Sequence, residues 1–271
     1  MKISEYDAFG PWIYKVDENH EIPKYFIPYV DESDGALFRL KVPKKIERRD
    51  ATPDMDLYEY LINVYDNRIE LMQIEEAGGI RMQKVPYDKI CAVTVFRELL
   101  QGILTVYLGD DTFTFSYNAV SQDLIMEMVS VIRKGYQEDR GNTDLLAAAY
   151  DPLQLNLDDL FFINEWVRLE PAERPIIHSA YQPEKAIPNS EEHKVWGALH
   201  IKKDQEWILL TKLEAYSFEY LYLPRVASVN IDTKAGSRYE GVEKMKISSG
   251  NYSLEMYYSS DNKAIEAHYK D

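Results

Sequence analysis

Histidine is the first side chain to examine for chemistry, because imidazole both binds metals and moves protons near neutral pH. The five here are His20, His178, His193, His200 and His268. None stands in an H-E-x-x-H spacing, and His193 and His200 span an expected loop and strand rather than one helix face, so no metal site is expected. The acidic pairs Asp54 and Asp56, Asp110-Asp111 and Asp158-Asp159 could act as paired carboxylates in acid–base catalysis. Each falls in a turn or at a helix start, where aspartate serves local hydrogen bonding instead. The single cysteine, Cys91, sits in the strand-like run KICAVTV and reads as a buried structural thiol; alone, it excludes an intrachain disulfide and a zinc site of paired cysteines. Gly78-Gly79 marks a hairpin, and neither a phosphate-binding glycine loop nor a nucleophile elbow occurs. A non-catalytic protein without cofactor or metal is expected.

The remaining chemistry is recognition. Arg39, Lys41, Lys44, Lys45, Arg48 and Arg49 concentrate positive charge in a chain whose net charge is −15. Lys41, Lys44, Lys45, Arg48 and Arg49 are therefore the candidate anion-binding residues, weighed against the plainer alternative of a solvated strand end that balances nearby carboxylates. The overall charge repels phosphate backbones and anionic headgroups, so nucleic acid is excluded as a partner of the chain as a whole. Tyrosine is abundant, at 21 residues. Tyr216, Tyr220, Tyr222, Tyr252, Tyr257 and Tyr258 alternate along expected strands, as core and rim residues or as the lining of a peptide groove.

These residues are positioned by strands. Seven runs with strand character lie between Leu37 and Tyr117: 37–42, 57–65, 68–75, 79–85, 89–96, 103–108 and 112–117. Turn residues separate them, among them Asp66-Asn67 and Gly109-Asp110-Asp111. The period then changes: Val120, Leu124, Ile125, Met128, Val129 and Ile132 recur at helical spacing, with Ser121 as N-cap and Gly135 as the stop. Thr143–Tyr150 reads as a short helix; in Leu157–Leu169 the residues Leu157, Leu160, Phe161 and Asn164 suit a helix, while 161–169 also tolerates a strand. The strand pattern returns at 175–182, 195–202, 206–213, 217–223, 226–232, 242–247 and 251–257, but after Asp261 only Ala264, Ile265 and His268 remain of the helical stripe. Asp66–Pro86 aligns with Asp204–Pro224 at an offset of 138, and Gly102, Val106, Leu108, Phe113 and Tyr117 align with Gly241, Met245, Ile247, Tyr252 and Met256 at 139. The repeat preserves alternating apolar positions and no polar constellation.

Seven antiparallel strands and a closing helix, twice over, with the run GILTVYLGDDTFTFSYN ahead of the helix, resemble the pleckstrin-homology-like superfold in its bacterial form. Through FGPWIYKVDENHEIPKYF, KKIERRD and MDLYEY the whole chain is also similar to a family of Gram-positive bacterial proteins, a resemblance that implies no activity. The superfold implies a mainly β (α+β) protein of two tandem seven-stranded antiparallel barrels, the first closed by a C-terminal amphipathic helix. The expected division is an N-terminal arm at 1–36 packed on the first module, module 1 at 37–136, a linker with short helices at 137–174, and module 2 at 175–271 with a shortened helix. The expected function is that of an interaction or scaffold protein that binds a protein partner or a second copy of itself. The alternative is binding of a small anion or lipid headgroup by the stretch Arg39–Arg49, since basic residues between the first two strands hold phosphates in headgroup-binding members. No run is long and apolar enough for a membrane span, and the start MKISEYDAFGPW has no signal-peptide core, so a cytoplasmic location is expected.

Overall fold

The computed structural model describes residues 4–10, 12–30, 35–75, 77–138, 159–169, 176–188, 190, 192–224, 230–232 and 239–269. Two compact units are formed, one from Met1–Lys89, Leu100–Leu104 and Phe115–Gly141, the other from Ile90–Leu99, Thr105–Thr114 and Asn142–Asp271.

In the first unit, helix α1 (Glu5–Ala8) is capped by Ser4, whose Oγ accepts from the Asp7 amide at 3.1 Å. Strands β1 (Tyr14–Lys15), β2 (Phe38–Pro43), β3 (Tyr58–Val64), β4 (Arg68–Ile74) and β5 (Ile80–Pro86) follow, forming one antiparallel sheet in sequence order. Its core gathers Phe9, Ile22 and Phe26 from the N-terminal segment around Leu57, Tyr58, Leu61 and Met72. The chain continues through β6 (Ala92–Glu98), β7 (Gln101–Leu108) and β8 (Asp111–Asn118) into helix α2 (Gln122–Glu138). Ile125, Met128, Val129 and Ile132 are buried along one stripe of α2, as their spacing requires. Val120 is not on that stripe: it stands in a 3-10 turn, Ala119–Ser121, and is 67% exposed. Asn118 caps that turn, its Oδ1 accepting from the Val120 amide at 3.0 Å, and Ser121 is the turn's last residue. Nor does Gly135 stop the helix. It lies under the ring of Tyr87, where a Cβ would come within 2.1 Å of Cε2, so the glycine serves close packing.

The second unit adds α3 (Leu160–Leu169), β9 (His178–Gln182), β10 (Lys185–Ala186), β11 (Lys194–Val195), β12 (Gly197–Lys202), β13 (Glu206–Glu214), β14 (Ser217–Pro224), β15 (Asn230–Asp232), β16 (Val242–Ser249), β17 (Tyr252–Ser259) and α4 (Lys263–His268). Seven strands form one antiparallel sheet in the order β8-β7-β6-β14-β13-β12-β9; β10 and β11 form a ribbon, and β15, β16 and β17 a three-stranded sheet. Helix α3 starts at Asp159, whose Oδ1 accepts from the Phe161 amide at 2.8 Å. It seats on β13 and β14 by the stacking of Phe161 on Phe218 at 3.9 Å, the Tyr220 hydroxyl bond to Glu165 and the Lys212–Asp159 ion pair. The Thr143–Tyr150 pattern lies outside the described residues.

The protein is thus mainly β, with antiparallel sheets and few helices, but the expected barrels do not close. The reason lies in one pairing. Strand β14, which aligns in sequence with β5 at an offset of 138, hydrogen-bonds β6 with Val93 opposite Tyr222 and Thr94 opposite Leu221. A ladder that runs on to a new strand has no need to curl back on its own. The consequence is visible in burial: Tyr220, Leu221, Tyr222 and Leu223 are buried, whereas Arg81, Met82 and Lys84 on β5, the end strand of its sheet, are exposed. The hairpin glycines Gly109 (φ 67) and Gly250 (φ 55) stand 141 residues apart, where the gapless sequence match runs at 139. A shift of two would keep every side chain on its face; Phe113 is half-buried and Tyr252 buried.

Candidate functional site

Four residues of the basic stretch, Arg39, Lys41, Arg48 and Arg49, have partners of their own. Lys41 is 2% exposed, with its ammonium donating to the Glu21 carbonyl at 3.0 Å and lying 4.7 Å from the centre of the Tyr58 ring. Burial lowers its pKa to about 8. Arg39 donates to Asn63 at 2.7 Å. Lys44 is half-buried and Lys45 exposed. Arg48 stacks on Tyr6, 3.8 Å from the ring centre, and donates to the Tyr6 carbonyl, while Arg49 pairs with Glu47 at 2.8 Å. At Arg39, Lys41, Arg48 and Arg49, charge that looks pooled in the sequence is divided among separate structural partners.

A different site is built in the second unit, where β11 meets the β16–β17 hairpin. It is a cleft of about 230 Å³ lined by Trp196, His193 and Tyr257, with charged groups at its margins. The His193 and Tyr257 rings are 5.4 Å apart, and Tyr239 closes on both at 6.1 and 5.7 Å. The walls are fixed from behind. Gln182, buried on β9, donates from Nε2 to the Trp196 carbonyl at 2.9 Å and to the Tyr257 carbonyl at 3.1 Å. Tyr239 and Tyr257 pack on the core of Ile187, Val195 and Val242, and Trp196 on the larger core that includes Met256 and Tyr258.

The charges of the cleft are mostly matched. Lys244 pairs with Glu255 at 2.5 Å, and Lys194 with Glu184 at 3.1 Å. Lys244 and Glu255 are diagonal neighbours across the hairpin, since Lys244 lies opposite Tyr257 and Lys246 opposite Glu255. The hydrogen bond from Lys244 holds the Glu255 carboxyl below its ordinary range. Glu192 stands 89% exposed, its carboxylate 4.0 Å from His193 Nδ1, and that nitrogen is buried without a hydrogen-bond partner. The lining itself holds two carboxylates, Glu192 and Glu255, and two ammonium groups, Lys194 and Lys244; because Lys194 pairs with Glu184 from outside the lining, Glu192 is left without a lysine or arginine partner among the described residues.

Three other histidine placements matter. On β9, β12 and α4, His178 and His268 share an Nδ1–Nδ1 hydrogen bond of 2.9 Å, and His200 Nδ1 meets the Tyr269 hydroxyl at 2.6 Å. The Nε2 atoms of His200 and His268 are buried and have no partner. Burial lowers the His200 pKa to about 3 and, helped by repulsion from the other imidazoles and Lys202, holds that of His268 well below its usual value. Among the described residues no group of three or more His, Cys, Asp or Glu is placed to hold a metal ion. Cys91 is half-buried, its Sγ accepting from the Gly109 amide at 3.2 Å.

Of the tyrosines singled out in the sequence only Tyr257 lines the cleft; Tyr220, Tyr222, Tyr252 and Tyr258 are buried and Tyr216 is exposed. Glu192 and Trp196 carried no flag. The available signal was the segment EEHKVW, where carboxylate, imidazole, ammonium and indole fall within six residues of a strand start.

Fold and site together define an α+β protein, dominated by antiparallel sheet, with an aromatic-walled cleft beside a hairpin. No helix among the described residues is long and apolar enough to cross a membrane. No family model matches the chain, and no curated protein matches it.

Proposed function

We propose that the chain is a non-catalytic interaction protein made of two pleckstrin-homology-like modules, the second of which offers its cleft to a protein partner. The order of elements supports the modular part. Strands β2 to β5 and β9, β12, β13 and β14 are two antiparallel four-stranded series; β6 to β8 and β15 to β17 are two three-stranded ones; α2 and α4 end them.

The observation that carries the binding part is the cleft itself. Three half-buried rings surround a space of about 230 Å³ that Gln182 and two cores hold open. That is below the roughly 300–1,000 Å³ of pockets that enclose whole cofactors or drug-sized ligands, and it suits one side chain of a partner whose remaining contacts lie outside. Aromatic walls with polar tips are what such anchor pockets use, since they provide area at little entropic cost. Anion binding by Lys44, Lys45 and Arg49 draws less support, because Lys41 and Arg48 are committed elsewhere.

The test is affinity capture from the native cell extract with the full chain and with a Trp196→Ala/Tyr257→Ala variant, each confirmed folded by its melting curve. Partners captured by the wild type and lost by the variant are the expected result. Identical captured sets would refute the assignment of the cleft.

A further inference from the structure

We propose that the cleft of the second unit selects a cationic side chain, lysine or arginine, presented by a partner protein. The inference rests on the functional proposal above and adds the chemistry of what enters. Three features of the walls decide it.

The first is the ring set. Trp196 and Tyr257 are the residue types whose faces attract cations most strongly, and His193 and Tyr239 pack on Tyr257 to hold it in place. Second, the charges leave room for a cation and not for an anion. Both lysines are already neutralised, Lys244 by Glu255 at 2.5 Å and Lys194 by Glu184 at 3.1 Å, so an incoming carboxylate or phosphate would have to break an existing pair. Among the described residues Glu192 pairs with no lysine or arginine; its neighbour is His193, at 4.0 Å, and an incoming ammonium or guanidinium would complete it. Third, the volume of about 230 Å³ admits an extended aliphatic stem with its charged head, and the stem of lysine or arginine buries well against aromatic rings. The net charge of −15 on the chain would also draw a basic partner toward the site at long range.

The probes are four capped tripeptides, Gly-Arg-Gly, Gly-Lys-Gly, Gly-citrulline-Gly and Gly-Glu-Gly, titrated into the full chain. Citrulline keeps the shape of arginine and lacks its charge. The readout is the NMR resonance of the Trp196 indole N–H, assigned by its disappearance in Trp196→Phe. The arginine and lysine peptides are expected to shift that resonance to saturation. The citrulline peptide should bind roughly tenfold more weakly, in line with a cation–π contribution at a partly desolvated site. Binding of the arginine peptide should weaken as salt is raised from 0.05 to 0.5 M. Glu192→Gln, at a position too exposed to affect folding, should weaken the arginine peptide about threefold and leave citrulline unchanged.

Equal affinity for arginine and citrulline would overturn the charge selection while leaving a neutral anchor pocket, and with it the functional proposal, intact. Preference for the glutamate peptide, or no shift with either basic peptide, would overturn the inference outright. Free arginine binding as tightly as its peptide would overturn the protein source and make the ligand a small molecule. Failure of the functional proposal is read separately, from captured partners that do not depend on Trp196 and Tyr257.

Discussion

Acid should loosen the second unit through His200. In the unfolded chain this imidazole titrates near 6.5, and in the folded protein burial lowers its pKa to about 3. Between those values the unfolded state holds a proton that the folded state refuses. Its contribution to stability is therefore fully present above pH 6.5 and declines as the pH falls toward 3. Each pH unit costs about 1.4 kcal/mol, so at pH 4.5 His200 alone removes on the order of 3 kcal/mol. His268 adds a loss in the same direction, while Glu219, whose carboxyl burial raises above its usual pKa, works against it. A single pH profile would blend these, so the informative comparison is with His200→Gln, whose amide oxygen can still accept from the Tyr269 hydroxyl. Urea denaturation of both proteins between pH 7.5 and 4.5 is the assay. The wild type should lose on the order of 3 kcal/mol more than the variant over that range, a large part of the roughly 5–15 kcal/mol typical of folded domains. Profiles that run parallel within about 0.5 kcal/mol would refute the placement of a neutral, uncompensated imidazole in this core.

Two further outcomes follow from the first unit. Gly135→Ala should lower stability by about 1–2 kcal/mol in thermal unfolding, because overpacking against Tyr87 outweighs the gain in helix propensity; an unchanged or raised melting temperature would contradict the close approach. Within the basic stretch, Lys45→Gln and Arg49→Gln should each stay within about 0.5 kcal/mol of the wild type, whereas Arg48→Gln should cost about 1 kcal/mol and expose the segment around Tyr6 to limited proteolysis, since it loses both a ring contact and a carbonyl bond. Equal behaviour of all three would refute the division of roles.

Strands were legible because period-two alternation survives in each of them: runs assigned at 68–75, 79–85 and 206–213 coincide with β4, β5 and β13 to within a residue or so. The stripe of α2 was legible for the same reason at period 3.6. What failed has a common cause. The joining of β6 to β14 is made by main-chain hydrogen bonds, which every residue can supply, so no side chain announces it. Val120 and Gly135 were misassigned because a 3-10 turn and a close ring contact depend on what packs nearby, not on spacing. The cleft was illegible since its walls come from the segment before β11, the residue after it, and β16–β17, and because Lys41 and Arg48 look as free in sequence as Lys45.

The pairing of Thr94 with Leu221 spans 127 residues, and this has a consequence for how the protein is made. At a ribosomal rate of roughly 5–20 residues per second, the edge of β6 that will receive β14 emerges some 6 to 25 s before its partner exists. For that interval the nascent chain displays an unsatisfied ladder that carries Val93, Val95 and Phe96, next to water and to other nascent chains. Synthesis of the second half is thus the step that completes a sheet begun in the first, and slowing translation after Glu98 should increase the demand on chaperones before it affects any property of the finished protein.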